Sequence, residues 1–128
     1  MSSCQLETHN PHNIPGKIYE RPWGQYVTLE IGAGYQAKSI VVKPGGRLSL
    51  QSHFRRSEHW VVVQGEATVT INTTVKVYSA GEYAYIPLEA KHRLENHTTQ
   101  PLRIIEVQIG DYVGEDDIVR YDDIYQRK

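Results

Sequence analysis

Short runs of alternating apolar and polar residues, separated by glycine, proline and asparagine, follow one another along most of the chain. In residues 26–31 every second side chain is aliphatic, which is the period-two pattern of a half-buried strand. Similar runs recur at intervals of roughly 8–12 residues, and no helical period is long enough for a βαβ unit. The pattern predicts a single all-β domain of about ten strands, arranged as a sandwich or a jelly-roll barrel.

The pattern also places the individual strands and turns. We predict a strand that begins at Ile18 and further strands over residues 26–31, 35–42, 48–53, 58–63, 67–71, 75–78, 83–86, 92–96 and 102–109. Hairpin turns are predicted around Gly65 and over residues 72–74. Residues 1–16 lack periodicity and predict a flexible tail, and residues 17–128 predict one domain. The segment after residue 109 predicts a short helical or extended cover.

The composition excludes several classes of protein. The formal net charge is −1 over 128 residues, so the chain lacks the basic surface typical of nucleic-acid binding. No apolar run approaches the roughly 18–20 residues of a membrane helix, and the N-terminus does not resemble a signal peptide. The single cysteine, Cys4, excludes a disulfide within the chain and makes the cytoplasm the expected location. We therefore expect neither nucleic acid nor membrane as a partner.

Ligand-type and cationic side chains are concentrated in residues 45–65, which read GGRLSLQSHFRRSEHWVVVQG. Strand alternation predicts one common face for Arg47, Ser49, Gln51 and His53. In the next strand, Glu58, Trp60 and Val62 share a face. If both faces point into a barrel, then Gln51, His53 and Glu58 converge.

A fourth candidate ligand, His92, comes from a second polar stretch, residues 81–96 (GEYAYIPLEAKHRLEN). Together the four residues offer one amide oxygen, two imidazoles and one carboxylate, a mixed set that suits divalent Zn, Mn, Fe, Co or Ni. Rigid strands would hold such ligands in place. The alternative is that His53 and Glu58 form a hydrogen-bonded pair in a polar barrel mouth without metal.

The two stretches have the spacing of the two cupin motifs. The positions that follow the first motif are Gly45, Gln51, His53, Glu58 and Gly65, and those of the second are Gly81, Pro87, His92 and Asn96. Longer strings, among them RPWGQY, RSEHWVVVQGEA and YIPLEAKHRLEN, resemble the C-terminal domain of type II mannose-6-phosphate isomerases. That domain usually follows a mannose-1-phosphate guanylyltransferase domain in one bifunctional chain. The resemblance covers about residues 18–128 and implies a cupin-type jelly-roll barrel.

Three positions depart from the family pattern. Gln51 stands where cupins usually carry histidine, Glu89 replaces the glycine of the second motif, and Arg55 stands where relatives often carry histidine. Glutamine is a weaker neutral ligand than imidazole, so the first departure implies a lower affinity for metal or a different metal. No glycine-rich phosphate-cradling loop is present, and guanylyl transfer by this chain is not expected.

The resemblance implies an enzyme that interconverts mannose 6-phosphate and fructose 6-phosphate through an enediolate, in mannose and polysaccharide metabolism. This chemistry needs a cation at the substrate oxygens, a base and a phosphate site. The implied metal ligands are Gln51, His53, Glu58 and His92. The implied phosphate ligands are Arg55, Arg56 and Lys91. The implied base is Glu106 or, as a second choice, His59, although strand parity places His59 on the face opposite Glu58.

Two other functions stay open at this point. One is a non-catalytic cupin module that binds a sugar phosphate or a nucleotide sugar. The other is a cupin enzyme of another class, such as an epimerase or a dioxygenase. Because small cupins often pair through edge strands, the resemblance also implies a homodimer.

Overall fold

The structure is a computed structural model that describes residues 13–122. Within that range the strands are, in chain order, β1 (Ile18–Arg21), β2 (Gly24–Gly32), β3 (Tyr35–Val42), β4 (Leu50–His53), β5 (Arg56–Gln64), β6 (Glu66–Ile71), β7 (Thr74–Ser79), β8 (Tyr83–Ile86), β9 (His92–Glu95), β10 (Leu102–Gly110) and β11 (Ile118–Asp122). A 3₁₀ helix, Glu115–Asp117, lies between the last two strands. The predicted tail falls largely on residues 1–12, which lie outside the described part.

The strands form two antiparallel sheets. Six strands follow one another in the order β1-β2-β3-β10-β5-β8, and five in the order β11-β4-β9-β6-β7. The inner faces of both sheets contribute to one hydrophobic core, which includes Trp60, Val62 and Ile104 from the first sheet and Val69 and Leu94 from the second. The predicted all-β architecture is therefore confirmed.

Alternation along the sequence predicted most strands but not every inner face, since in β2 Tyr26 and Thr28 are buried while the aliphatic Leu29 is 51% exposed. The strands β3 and β8 begin and end where predicted, and the other predicted strands shift only at their ends. In β5 the predicted inner face is buried, since Glu58, Trp60 and Val62 are each at most 5% exposed. The hairpin predicted at residues 72–74 is confirmed by the β6–β7 pairing.

The hairpin predicted at Gly65 is wrong. Strand β5 belongs to the six-stranded sheet and β6 to the five-stranded sheet, so the chain crosses between sheets at this glycine. Gly65 has a φ of +86°, and a Cβ there would lie 2.5 Å from the carbonyl oxygen of Pro101, so only glycine fits. A local turn signal does not say which sheet the next strand joins.

Segments at both ends of the described range complete the barrel. The predicted cover after residue 109 contains β11, which pairs with β4 as an edge strand; Ile118 lies opposite His53 and Arg120 opposite Gln51. At the other end, Asn13 is fully buried, and its Oδ1 accepts a hydrogen bond of 2.6 Å from the Tyr26 hydroxyl. The packed region therefore begins before residue 17.

The outer face of the six-stranded sheet carries exposed apolar side chains, including Val61, Val63, Tyr83, Tyr85 and Ile109. The expected homodimer stays a prediction. Among the residues described, no helix has the length and apolar character that crossing a membrane requires.

Candidate functional site

A cavity of about 420 Å³ lies between the two sheets and is the candidate functional site. Its walls combine apolar and aromatic residues with several charged ones, as is common in sites that bind polar ligands. The charged lining residues are Arg21, Lys38, Arg56, Glu58, Arg93, Glu106, Asp116 and Arg120.

Three of the four predicted metal ligands converge in this cavity. His53 lies on β4, Glu58 on β5 and His92 on β9, and all three are buried. Their potential ligand atoms lie within 4.8 Å of one another. Gln51 also lines the cavity, directly opposite His92 in the β4–β9 pair. Two imidazoles and one carboxylate, with space for further ligands, could hold a divalent metal.

His92 presents a nitrogen atom toward the centre of this group. Its Nδ1 donates a hydrogen bond of 3.0 Å to the carbonyl oxygen of Ala90, since a carbonyl only accepts. In the neutral ring the lone pair then lies on Nε2. That buried atom has no hydrogen-bond partner within residues 13–122 and lies 4.0 Å from Oε1 of Glu58. A buried acceptor left in this way, with the tautomer fixed by a backbone carbonyl, fits a metal ligand.

Glu58 and Glu106 form a buried carboxyl pair with opposite pKa shifts. The indole Nε1 of Trp60 lies between them and donates to both, at 2.9 Å to Glu58 and 3.1 Å to Glu106. Burial, and then the charge of Glu58, raise the pKa of Glu106 well above its usual range. Burial also opposes the charge on Glu58, but Arg56, a hydrogen bond with Glu106 and the two imidazoles outweigh it and hold the pKa of Glu58 well below its usual range. The two carboxyl groups therefore differ in their affinity for a proton, which Glu106 holds more tightly than Glu58 does.

Arg56 lies inside this group and not on a loop at the barrel mouth. It is the first residue of β5 and is 3% exposed. Its Nε donates to Oε2 of Glu58 at 2.9 Å, and its Nη2 donates to Nε2 of His53 at 2.8 Å. We call His53, Arg56, Glu58, His92 and Glu106 the buried cluster. The phosphate role of Arg56 stays a prediction; Arg56 lines the cavity, and Glu58 already compensates its charge.

A glycine allows Arg56 to sit this deep. Gly110 ends β10 opposite Arg56 in the β5–β10 pair. A Cβ at Gly110 would lie 2.0 Å from the carbonyl oxygen of Arg55 and 2.7 Å from the Cα of Arg56. The close approach of the two backbones therefore requires glycine at this position.

The other two predicted phosphate ligands lie away from the cavity lining. Arg55 is 51% exposed, and its Nε pairs with Asp111 at 3.1 Å while its guanidinium covers the ring of Tyr112. Lys91 is exposed, with its Nζ 4.4 Å from the centre of the Tyr121 ring. The structure thus gives both cations partners on the surface.

His59, the second choice for the base, lies on the outer face of β5. Its ring packs against Tyr85 of β8, with 4.9 Å between ring centres. Because side chains alternate along a strand, the inward direction of Glu58 sends His59 outward. His59 as the base stays a prediction; it is not among the residues that line the cavity, whereas Glu106 is.

The predicted common face of residues 47–53 is interrupted. Strand β4 begins only at Leu50, and Arg47 forms an isolated bridge with Glu95, with 3.2 Å between Nε and Oε2. Leu48 and Ser49 both line the cavity, whereas Arg47 does not. An irregular stretch before β4 resets the period-two alternation, which the sequence pattern does not reveal.

Four cations of the cavity lining were missed by sequence reasoning, namely Arg21, Lys38, Arg93 and Arg120. Lys38 lies on β3 opposite Glu106, and its Nζ is 4.5 Å from the centre of the Tyr26 ring. A lysine within the apolar run 35–42 is a signal that could have identified it. Arg120 lies on β11 opposite Gln51 and is exposed at the cavity. No local signal marks Arg120, because the pairing of β11 is a tertiary feature.

Glu89, at the position of the motif glycine, has a positive φ of 66°. This left-handed conformation suits glycine and costs other residues about 1–2 kcal/mol. The backbone N–H of Glu89 donates to the carbonyl oxygen of His53 at 2.7 Å. The chain therefore keeps the backbone geometry of a glycine here, and the departure affects stability more than the shape of the cavity.

Comparison with known proteins identifies relatives of this chain. Residues 7–123 match the family described as "Mannose-6-phosphate isomerase C-terminal". Mannose-1-phosphate guanylyltransferase ManC of Salmonella typhimurium is 52% identical over 127 residues, which are 99% of this chain and 26% of that protein. The xanthan biosynthesis protein XanB of Xanthomonas campestris is 51% identical over 111 residues, which are 87% of this chain and 24% of that protein. The chain thus spans about a quarter of the length of these relatives.

A solved structure supports the fold. An RmlC-like cupin from Shewanella frigidimarina superposes with a TM-score of 0.67 at 21% identity, over 80% of this chain and 94% of that chain. At 21% sequence identity this structural similarity establishes the fold alone, and the fold is that of a cupin. With the match over residues 7–123, the chain belongs to the mannose-6-phosphate isomerase C-terminal family.

Proposed function

We propose that this domain interconverts mannose 6-phosphate and fructose 6-phosphate with a divalent metal held by His53, Glu58 and His92. One observation carries the proposal. The potential ligand atoms of these residues lie within 4.8 Å of one another inside the cavity of a chain that belongs to the isomerase family. Gln51, opposite His92, is the fourth ligand in this proposal.

The charge of the cavity supports an anionic substrate. Five basic and three acidic side chains line it, although the whole chain has a net charge of −1. Because the pKa of Glu106 is raised, its neutral form is favoured, and the negative charge in the cavity is lower than the count of acidic residues indicates. A cavity lined mainly by charges of one sign concentrates ligands of the opposite charge. A sugar phosphate is such a ligand.

Arg120 is the cation that we assign to the phosphate group. It lies in one row with Gln51 and His92 across neighbouring strands, two strand spacings or about 10 Å from His92. It is exposed at the cavity and makes no ion pair with another described residue. A guanidinium binds phosphate oxygens through two parallel hydrogen bonds. Arg55, Arg56 and Lys91 already have the partners described above.

Glu106 is the residue that we assign to proton transfer between C1 and C2, and it accepts the proton as a carboxylate, whose raised pKa makes it the stronger base of the two buried carboxyl groups. Its two oxygens accept hydrogen bonds from Trp60 Nε1 at 3.1 Å and from Gln108 Nε2 at 3.1 Å, which fix its orientation in the cavity. Glu58 is less suited, because it serves as a ligand. The bound metal would supply positive charge at the substrate oxygens, where negative charge develops.

The test combines metal content with turnover. Purified protein is treated with a chelator and then supplied with Mn²⁺, Co²⁺ or Zn²⁺. We expect mannose 6-phosphate to yield fructose 6-phosphate in a coupled assay only after metal is added. Glu106→Gln should bind metal like the wild type and lose at least about 100-fold in kcat. Protein that binds metal and stays inactive with all three ions would contradict the isomerase, and protein that binds none would contradict the metal site.

A second candidate function is a non-catalytic module that binds a sugar phosphate or a nucleotide sugar. It is favoured by Arg56, which compensates Glu58 without a metal, at 2.9 Å. Calorimetry on chelator-treated protein discriminates between the two. Binding of mannose 6-phosphate without metal and without turnover would favour the module.

The relatives suggest the pathway that the domain serves. One relative is named a xanthan biosynthesis protein and another an alginate biosynthesis protein. We propose that this domain likewise contributes to the mannose supply for a polysaccharide. Loss of a mannose-containing polysaccharide upon deletion of its gene, with restoration by the wild type but not by Glu106→Gln, tests this assignment.

A further inference from the structure

The guanidinium of Arg56 lies between two of the three potential metal ligands. It donates to Oε2 of Glu58 at 2.9 Å and to Nε2 of His53 at 2.8 Å. We infer that Arg56 is an internal cation that competes with a divalent metal for these two residues. Metal binding through His53 and the hydrogen bond between Arg56 and His53 exclude each other.

The contact with Arg56 fixes the position of the proton on His53. Arg56 has only N–H donors, so Nε2 of His53 must accept with its lone pair. The proton of the neutral ring is then on Nδ1, which lies 3.4 Å from Oε2 of Glu58. In this arrangement neither ring nitrogen of His53 has a lone pair for a metal.

Either way of using His53 as a ligand removes the contact with Arg56. If Nε2 binds the metal, its lone pair is no longer available to Nη2 of Arg56. If Nδ1 binds the metal, the ring proton moves to Nε2 and faces the N–H of Arg56, so that two donors meet. His53 therefore serves Arg56 or the metal, but not both.

Electrostatic repulsion acts in the same direction as this exclusion. A divalent metal at the carboxylate of Glu58 would repel the guanidinium that is bonded to the same group.

Arg56 has other acceptors within reach when it leaves His53. Its Nη1 already donates to the carbonyl oxygens of Val113 and Gly114, at 3.3 Å and 3.4 Å. These long bonds can shorten as the guanidinium moves toward that segment. The apparent affinity for metal is then lowered by the fraction of molecules in which Arg56 still occupies the site.

The test measures metal affinity and needs no turnover. Arg56→Gln and the control Arg103→Gln remove the same charge, and Arg103 is exposed on β10, with its Nη1 bonded to the Ser39 hydroxyl. Chelator-treated proteins are titrated with Co²⁺ in a calorimeter at one pH. We expect Arg56→Gln to bind Co²⁺ at least about tenfold more tightly than the wild type. Arg103→Gln should bind like the wild type.

Thermal unfolding supplies an independent readout. Without metal, Arg56→Gln should have a lower Tm than the wild type, because Glu58 stays buried without its cation. Addition of Co²⁺ should raise its Tm by more than it raises the wild-type Tm, since the metal takes the place of the missing charge. An equal shift in both proteins would contradict the inference.

The remaining outcomes separate this inference from the proposed function, since it rests on the proposed metal site but not on isomerisation. Equal or weaker Co²⁺ binding by Arg56→Gln overturns the competition and leaves the metal site standing. If neither the wild type nor Arg56→Gln binds Co²⁺, the competition and the proposed metal site are both overturned. Should Arg56→Gln fail to fold, a crystal structure of the wild type with Co²⁺ decides. We expect Nη2 of Arg56 beyond hydrogen-bond distance of His53, and a metal bound with that contact intact would overturn the inference.

Discussion

Two adjacent arginines of this chain lie in opposite environments. Arg55 is at the surface, 51% exposed, and pairs with Asp111, which is 71% exposed. Arg56 is 3% exposed and pairs with Glu58, which is 2% exposed. The two Nε–oxygen distances are similar, 3.1 Å and 2.9 Å.

Similar distances do not mean similar energies. Water screens the charges of the Arg55 pair, so such a pair contributes little to stability. In the buried cluster each charge has lost its hydration, and removal of one partner leaves the other uncompensated. The comparison teaches that the position of a charge, and not its residue type, decides whether it can organise a site.

Glu58→Gln should have the largest effect, because it removes the charge that compensates Arg56. We expect the free energy of unfolding in urea to fall by about 3 kcal/mol, and Co²⁺ binding to be lost. Asp111→Asn, the matched change at the surface pair, should lower the free energy of unfolding by less than about 1 kcal/mol. Similar losses in the two variants would show that burial does not distinguish the pairs.

Arg120→Gln tests whether an exposed cation can still matter when it faces the cavity. We expect the Kd for mannose 6-phosphate, measured by calorimetry, to rise about tenfold, or about 1.4 kcal/mol. Unfolding in urea should hardly change, because Arg120 is exposed. Arg103→Gln is the control, with the same loss of charge on the outside. Unchanged affinity in Arg120→Gln would remove Arg120 from the phosphate site.

Glu89→Gly tests backbone strain outside the buried cluster. Because Glu89 has a φ of 66°, glycine should raise the free energy of unfolding by about 1 kcal/mol. Thr73→Gly is the control, since Thr73 is exposed in a turn and is not among the residues with positive φ. That change should lower stability, because glycine adds freedom to the unfolded chain. A loss of stability in Glu89→Gly would show that its side chain contributes more than the strain costs.

The coupling between Arg55 and Asp111 should be the smallest effect. A double-mutant cycle with Arg55→Gln and Asp111→Asn should give about 0.5 kcal/mol or less. Because both side chains are exposed, 1 M salt should abolish it. A coupling above about 2 kcal/mol that persists in salt would erase the contrast with Arg56.

Much of the candidate site could be predicted from the sequence. His53, Glu58 and His92 were identified because ligand-type residues at motif spacing within apolar strands are a local signal. Glu106 was named as the base that the family resemblance implies, and it does line the cavity. His59, in contrast, was proposed as a base although strand parity already argued against it, and it lies outside.

The placement of cations could not be predicted in the same way. Arg55 and Arg56 both follow Phe54 in a polar run, and alternation cannot tell where β5 begins within it. The close approach of Gly110 to Arg55 and Arg56 settles this point. Arg120 was missed because its place depends on a pairing with β4, nearly seventy positions earlier in the chain.

The sequence by itself determined the all-β class, most strands, the buried face of β5 and, through motif spacing, the convergence of three ligands, since these follow from short-range periodicity and spacing. Only the tertiary structure decided that Gly65 joins two sheets, that Arg47 leaves the cavity and that Arg56 enters it. These features depend on which strands meet, and contacts between distant segments set that choice. The stretch 45–65 therefore specified the ligands, while β10 and β11 decided which cations reach them.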